Sequence, residues 1–222
     1  MSISNIYLAR HGETEYNRRN QIQGRGIDVS LNETGQLQAK ALSAHIHTLD
    51  IDYLYSSSLK RSRETAEYVG KYCNLENQSY RELDEMNFGI LEGRPIEEIE
   101  SELQQLHDNW KSGEVSFALE KAESPRKVLE RAGGRAENII REKHRSNILF
   151  VLHGRLIRIL VSHWLGMGLS SMHKVAHSNG ALYHLQWDGQ QFRSVFLNNT
   201  DHLKNGSLDS LSNEKWSRIE LQ

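Results

Sequence analysis

The sequence has very little cysteine and proline. Cys73 is the single cysteine among 222 residues, which excludes a disulfide framework within the chain and is typical of a reducing compartment. The two prolines, Pro95 and Pro125, each precede a stretch with a helical pattern. Proline is well tolerated at the start of a helix, so both are predicted to mark helix beginnings.

The chain also lacks a charge surplus and long apolar runs. Its formal net charge is -2, which excludes a generally basic surface for nucleic acid or membrane, so an anion site would have to be a local cluster of cations. No apolar run approaches the roughly 20 residues that span a bilayer, and the amino terminus lacks the features of a secretion signal. We therefore expect a soluble cytoplasmic protein that binds neither nucleic acid nor membrane.

Short apolar runs alternate with helical patterns along the chain. This alternation predicts an α/β fold, a three-layer α/β/α sandwich with a mostly parallel central sheet. Asp188-Gly189 between the last two strands predicts a hairpin at one edge. The predicted strands are 3–9, 53–56, 147–152, 182–187 and 192–197, and the predicted helices are 33–49, 59–72, 96–109, 125–145, 156–165 and 170–176.

Neither repeats nor linkers divide the sequence. We expect one domain, 1–222, in which residues 83–125 form an insertion that covers the sheet. Residues 204–222 are predicted to be a polar tail in which Trp216 and Ile219 could dock.

Histidines follow two of the predicted strands. His11-Gly12 ends the first apolar run and His153-Gly154 ends the run at 147–152. Side chains at the carboxyl ends of parallel strands meet at one edge of the sheet, where ligands of open α/β sheets bind. We therefore expect the two imidazoles to lie together. Arg10 beside His11 indicates an anionic target, because guanidinium matches phosphate and carboxylate oxygens.

Three further segments carry suitable groups. QGRGIDVSLNETG, residues 23–35, is a glycine-rich turn with Arg25. YSSSLKRSRETA, residues 55–66, has Arg61 in the first turn of a predicted helix, where exposed backbone N–H groups would add positive charge. LDEMNFGILEG, residues 83–93, has several carboxylates in a predicted loop.

These segments together resemble the histidine phosphatase superfamily, also called the phosphoglycerate mutase-like family, over roughly residues 3 to 203. The resemblance is carried by RHGE at 10–13 with Asn17 four residues on, by the patterns SSxLxRxxxTA and ExxFGxxEG, by the late His-Gly, and by FLNNTDHL at the end. All of them stand in the family's order. The resemblance implies a phosphoglycerate mutase-like fold.

The resemblance also implies roles for individual residues. His11 would be the nucleophile and Glu85 the acid that protonates the leaving oxygen. Arg10, Arg61 and His153 would count as catalytic too. The residues that would bind the phosphate are Arg10, Asn17, Gln23, Gly24, Arg61, His153 and Gly154.

Physical reasoning agrees with these roles. Phosphoryl transfer depends mainly on positioning and charge neutralisation, and two arginines with a protonated second histidine could neutralise three oxygens without a metal or cofactor. A neutral imidazole is a competent nucleophile near pH 7. The ionised Glu85 could then activate water against the phosphohistidine.

We expect a phosphomonoester hydrolase that acts on a small phosphorylated metabolite. A cofactor-dependent phosphoglycerate mutase and a non-catalytic phosphoprotein-binding module are alternatives. Residues 94–125 are acidic and shorter than the insert of the mutases, which favours hydrolysis.

Several details stay open in the sequence. Arg25 and Arg155 could bind a second anionic group of the substrate or form ion pairs. The histidine pairs His45/His47 and His173/His177 lack a nearby third ligand, so no metal site is predicted. The oligomeric state is open between monomer and homodimer.

Overall fold

The computed structural model describes residues 3–204 of the chain. Residues 205–222, which include most of the predicted polar tail with Trp216 and Ile219, lie outside the described part.

A six-stranded mixed sheet forms the centre of the fold, in the order β3-β2-β4-β1-β5-β6. Strands β1 to β4 are parallel to one another, whereas β5 runs antiparallel to β1 and forms a hairpin with β6. The mostly parallel sheet with a hairpin at one edge confirms the predicted fold class. The strands are β1 Ser4–Arg10, β2 Tyr53–Ser57, β3 Asn77–Tyr80, β4 Asn147–Leu152, β5 Leu182–Trp187 and β6 Phe192–Asn199.

Helices connect the strands of the sheet. The described helices are α1 Glu15–Arg18, α2 Glu33–Ile46, α3 Lys60–Cys73, α4 Glu100–Lys111, α5 Pro125–Val128, α6 Gly134–Glu142 and α7 Gly154–Trp164. A π-helical turn, Leu129–Gly133, joins α5 to α6. Short 3-10 turns lie at Arg81–Leu83, Gly89–Leu91, Ile96–Glu98, Leu169–Lys174 and Asp201–Leu203.

Two apolar cores lie on opposite faces of the sheet because successive strand residues point to opposite sides. In β1, Ile6 and Leu8 belong to the larger core, which includes residues of α6 and α7. Tyr7 and Ala9 belong to the smaller core, which includes residues of α2 and α3. Burial on both faces explains why these strands are continuous apolar runs in the sequence.

The differences from the sequence prediction are local. Strand β3 was missed because its sequence, NQSY, is polar and has no alternating apolar pattern. The predicted helix at 96–109 begins instead at Glu100, after a 3-10 turn at Ile96–Glu98. Helix α7 begins at Gly154, two residues earlier than predicted, because Glu85 accepts the N–H groups of its first turn.

Candidate active site

Strand pairing brings the two strand-end histidines together. Arg10 and Leu152 are partners in the parallel register of β1 and β4, so His11 and His153 follow at the same edge of the sheet. Their ring centroids lie 5.1 Å apart with the planes tilted by 59°. Both side chains are buried. The pairing of β1 with β4 therefore brings together two histidines that lie far apart in the sequence.

The hydrogen bonds of His11 define which ring nitrogen can react. Nδ1 lies 2.7 Å from the carbonyl oxygen of Gly12, which assigns the ring proton to Nδ1 as a donor. Nε2 therefore carries the ring's lone pair, which accepts a hydrogen bond from Nε of Arg61 at 3.3 Å. An electrophile bound beside Arg61 would meet Nε2 of His11.

Backbone carbonyls hold the two arginines. Nη1 and Nη2 of Arg61 donate to the carbonyl oxygens of Ile27 and Gly24 at 2.7 and 3.2 Å. Nη1 of Arg10 donates to the carbonyl oxygen of His177. The glycine-rich turn predicted from the sequence thus orients Arg61, while the segment before β5 orients Arg10.

The expectation of exposed backbone N–H groups at the start of α3 is wrong. The N–H of Ser58 donates to Asp84 at 2.9 Å, and that of Lys60 donates to Asp28 at 2.6 Å. Carboxylates of the protein already neutralise this helix end, so α3 supplies its positive charge to the site through the side chain of Arg61.

Their surroundings favour the uncharged form of both imidazoles. Burial lowers the pKa of His11 well below 6.5, and Arg61 and Arg10 lower it further. Burial, Arg61 and His11 do the same to the pKa of His153. Two nearby guanidinium groups and little solvent disfavour a third positive charge at His153, and its protonation beside a bound phosphate stays a prediction.

The structure separates the crowded carboxylates of the 82–92 region. Glu85 accepts backbone N–H groups of Arg155 and Leu156 at 3.0 Å each, so it lies at the first turn of α7 next to His153. Asp84 instead binds Ser57 and Ser58. Of these four carboxylates, the other two are bound elsewhere, Glu82 by Arg135 and Glu92 by the N–H groups of Gly26 and Phe88.

Several buried donors and acceptors point to a ligand. Within residues 3–204, both ring nitrogens of His153, Nε of Arg10 and Nε2 of Gln23 have no hydrogen-bond partner. Buried polar groups are nearly always paired, so each unpaired one needs an explanation. An anion bound between His11 and His153 would accept a hydrogen bond from the protonated ring nitrogen of His153.

Two glycines allow the close approach of chain segments around the site. A Cβ on Gly12 would lie 2.3 Å from the carbonyl oxygen of Gly35, at the start of α2. A Cβ on Gly154 would lie 2.7 Å from the ring of His177 and 3.3 Å from Nε of Arg10. The His-Gly pairs therefore reflect tight packing beside each histidine.

Two other predicted site residues, Asn17 and Arg25, contact groups of the protein itself. Oδ1 of Asn17 accepts from the backbone N–H of Thr14 and from Asn179. Arg25 lies 3.5 Å from Asp84 and 3.8 Å from Glu123, which favours the ion-pair alternative for this residue. Phosphate binding by Asn17 and Gly24 stays a prediction.

Arg131 is a site-supporting residue that the sequence did not reveal. Its guanidinium donates to the carbonyl oxygens of Glu82, Asp84 and Glu85 at 2.8 to 2.9 Å. It also forms a two-pronged ion pair with Glu123, with both contacts at 2.7 Å. Arg131 thereby fixes the segment that carries Glu85. It lies in the π-helical turn, a feature often found near functional sites, and no short-range pattern marks it.

Residues 3–204 lack a metal-binding cluster and a membrane-spanning helix. No group of three or more His, Cys, Asp or Glu side chains is arranged to hold a metal ion. None of the helices in this part of the chain has the length and apolar character required to cross a membrane.

Comparison with known proteins gives one family. The family model of the histidine phosphatase superfamily, branch 1, matches residues 6–200. A putative phosphoserine phosphatase 2 of Hydrogenobacter thermophilus is 27% identical over 202 residues, 91% of this chain and 98% of that protein. A probable phosphoglycerate mutase GpmB of Photorhabdus laumondii is 30% identical over 211 residues, 93% of this chain and 98% of that protein.

A solved structure is similar over nearly its whole length. Phosphoserine phosphatase of Entamoeba histolytica, in complex with 3-phosphoglyceric acid, has a TM-score of 0.80 and 26% identity, and the match covers 90% of this chain and 99% of that one. A mycobacterial glucosyl-3-phosphoglycerate phosphatase, with a TM-score of 0.80 and 22% identity over 88% and 99% of the two chains, shares the fold.

Proposed function

Because the chain belongs to the histidine phosphatase superfamily, branch 1, we propose that it is a phosphomonoester hydrolase that works through a phosphohistidine on His11. The observation that carries this proposal is the buried pair of His11 and His153 with Arg61 donating to Nε2 of His11. In this proposal residues 3–204 act as one domain. The substrate of the enzyme is a small phosphorylated metabolite in the cytoplasm.

The first step is attack on phosphorus. Nε2 of His11 forms the N–P bond while the bond from phosphorus to the ester oxygen breaks. Arg61 and Arg10 neutralise the phosphoryl oxygens, which is the main electrostatic requirement of this reaction. The neutral state of His11 supports its role, because burial and both arginines keep the pKa of this nucleophile low.

Binding of the phosphate dianion changes the charge balance at His153. Its pKa is lowered by burial and then by the nearby arginines, and two negative charges beside the ring oppose the effect of those arginines. Proton uptake by His153 on substrate binding then supplies a third positive group. The protonated form expected from the sequence is in this way a property of the complex.

Glu85 is the proposed proton donor. Oε1 accepts two backbone N–H groups, from Met86 and Leu156, whereas Oε2 accepts only that of Arg155. A carboxyl oxygen has two acceptor positions, so Oε2 retains one that can hold a proton. That proton passes to the leaving oxygen. In the second step Glu85 takes a proton from water, the water oxygen bonds to phosphorus, the N–P bond breaks and neutral His11 is restored.

The direct test uses p-nitrophenyl phosphate and the His11→Ala variant. We expect turnover by the wild-type protein and a loss of at least about 10³-fold in the variant, because the covalent path is removed. The wild-type protein should keep its activity in EDTA. Activity of the variant close to that of the wild type would refute the nucleophile assignment, and EDTA inhibition reversed by a divalent ion would refute the metal-free mechanism.

A phosphoglycerate mutase is the second candidate, since a relative at 30% identity carries that name. Both reactions would use the same phosphohistidine and differ in whether water or a second substrate oxygen accepts the phosphoryl group. Incubation with 3-phosphoglycerate, with and without 2,3-bisphosphoglycerate, separates them. Release of inorganic phosphate supports hydrolysis, and isomerisation without release supports the mutase.

A further inference from the structure

A turn of the chain, residues 24–27, orients Arg61. The guanidinium donates through Nη1 to the carbonyl oxygen of Ile27 at 2.7 Å and through Nη2 to that of Gly24 at 3.2 Å. Its third donor, Nε, reaches Nε2 of His11 at 3.3 Å. Because the guanidinium fork is rigid, the positions of the two carbonyl oxygens set the direction of Nε toward His11. A group that fixes the turn therefore also fixes the alignment of Arg61 with the proposed nucleophile.

Glu92 holds this turn through backbone N–H groups. Its Oε2 accepts from the N–H of Gly26 at 2.9 Å, and its Oε1 accepts from the N–H of Phe88 at 3.0 Å. Gly26 lies in the turn, whereas Phe88 lies in the segment that follows Glu85 in the sequence. One carboxylate thus bridges the turn that orients Arg61 to the segment that carries the proposed proton donor.

The glycines of the turn leave room for this carboxylate. A Cβ on Gly24 would lie 2.0 Å from Oε1 of Glu92, and a Cβ on Gly26 would lie 2.5 Å from Oε2. Real Cβ atoms essentially never come within 3.0 Å of another heavy atom, so any other residue at these two positions would displace the carboxylate. Glu92 therefore occupies the space that the two glycines leave open.

The charge of Glu92 acts on main-chain groups of two segments. Burial raises the pKa of this carboxyl above its usual value, and the N–H groups of Phe88 and Gly26 and the charge of Arg61 oppose that rise. Burial of a carboxylate is costly unless hydrogen bonds satisfy its oxygens. Movement of the turn away from Glu92 would break such a bond, so the carboxylate resists that movement.

We propose that Glu92 is a positioning residue that acts through Arg61, because its carboxylate holds the turn whose carbonyl oxygens orient that guanidinium. The inference rests on the proposed function, in which Arg61 neutralises the phosphoryl oxygens beside His11. Glu92 binds no phosphoryl oxygen itself. Its contribution is to keep Arg61 in a fixed relation to His11 and to the Glu85 segment while the phosphoryl group is transferred.

The main test variant is Glu92→Gln, which keeps the shape of the side chain but replaces an accepting oxygen with an NH2 donor. Glu64→Gln is the matched control, since Glu64 is another half-buried carboxylate and accepts the N–H of Leu31 in the same glycine-rich segment at 2.8 Å. We expect Glu92→Gln to lower kcat for p-nitrophenyl phosphate by about 10- to 100-fold, because small misplacements of a catalytic group have effects of this size. Glu64→Gln should behave as the wild type.

A double variant separates positioning through Arg61 from general damage to the fold. Glu92→Gln should change kcat by less than about 3-fold in the Arg61→Ala background, because the group that it aligns is already absent. A full loss in that background, or an equal loss in Glu64→Gln, would overturn the inference. If Glu92→Gln folds poorly, Gly26→Ala replaces it, since the new Cβ would displace Oε2 of Glu92. The kcat of Gly26→Ala should then fall, and an unchanged kcat would overturn the inference.

A measurement without substrate distinguishes this inference from the proposed function. The Nε–H of Arg61 donates to His11 in the buried site, and its NMR signal can be assigned by its loss in Arg61→Lys. We expect this proton to exchange with solvent at least about 10-fold faster in Glu92→Gln and at the wild-type rate in Glu64→Gln. That result supports the inference even if no phosphomonoester is hydrolysed. Unchanged exchange in Glu92→Gln overturns it even if p-nitrophenyl phosphate is an excellent substrate.

Discussion

Replacement of Arg131 by methionine should both destabilise the fold and weaken the support of Glu85. The change keeps an unbranched apolar stem and removes the guanidinium. Three carbonyl oxygens, those of Glu82, Asp84 and Glu85, lose a donor at 2.8 to 2.9 Å. Glu123 loses both of its 2.7 Å contacts to Arg131.

The expected magnitude follows from burial. The side chains of Arg131 and Glu123 are 16% and 18% exposed, so most of the pair is shielded from water. Removal of one partner of a buried ion pair costs about 3–5 kcal/mol, and partial exposure favours the lower end of that range. We expect a loss of about 3 kcal/mol in the free energy of unfolding, or roughly 6–12 °C in Tm for a domain of this size.

Urea unfolding of wild type and variant measures this loss. Arg141→Met is the matched control, because it removes an exposed i,i+4 ion pair with Glu137 that should contribute less than about 0.5 kcal/mol. The double variant Arg131→Met/Glu123→Gln should be more stable than the sum of the single losses predicts. A loss below about 1 kcal/mol, or additive effects in the double variant, would refute the reasoning.

Three other predictions have independent readouts. Glu85→Gln should slow hydrolysis of alkyl phosphates by about 10²-fold or more, and that of p-nitrophenyl phosphate by less, because only poor leaving groups need the proton. Equal losses on both substrates would assign the acid to another carboxylate. The free energy of unfolding should decrease as pH falls from 6.5 to 5. Burial lowers the pKa of His202 to about 4 and that of His177 to about 3, whereas the same histidines in the unfolded chain take up protons below about pH 6.5. Each of them contributes up to about 1.4 kcal/mol per pH unit, and a flat pH profile in urea titrations would contradict this reasoning. Gly12→Ala should cost about 1–3 kcal/mol in urea unfolding, because its Cβ would lie 2.3 Å from the carbonyl oxygen of Gly35, and a stability equal to wild type would contradict the predicted clash.

The sheet and its site edge could be predicted because their signals are local. Strands buried on both faces are continuous apolar runs, and His11 and His153 directly follow two of them. Strand β3 and helix α1 could not be predicted in the same way. One is polar, and the other is a four-residue helix held by a capping box between Thr14 and Asn17.

The charge state of the site depends on three-dimensional neighbours. Burial together with Arg61 and His11 lowers the pKa of His153 well below 6.5, and no residue next to it in the sequence announces this effect. The four carboxylates between residues 82 and 92 look alike in the sequence, and only Glu85 lies against the first turn of α7. What distinguishes Glu85 is its pair of hydrogen-bond partners about 70 positions further along the chain.

The sequence by itself determined the order of most strands and helices, the strand-end histidines and the arginines Arg10 and Arg61, because periodicity and adjacency act over a few residues. The tertiary structure alone decided that Arg25 pairs with carboxylates while Arg155 has an unpaired guanidinium edge, and that Arg131 supports the Glu85 segment. Ion pairing and desolvation depend on which segments meet in the fold. The positions of residues along the chain do not show which segments these are.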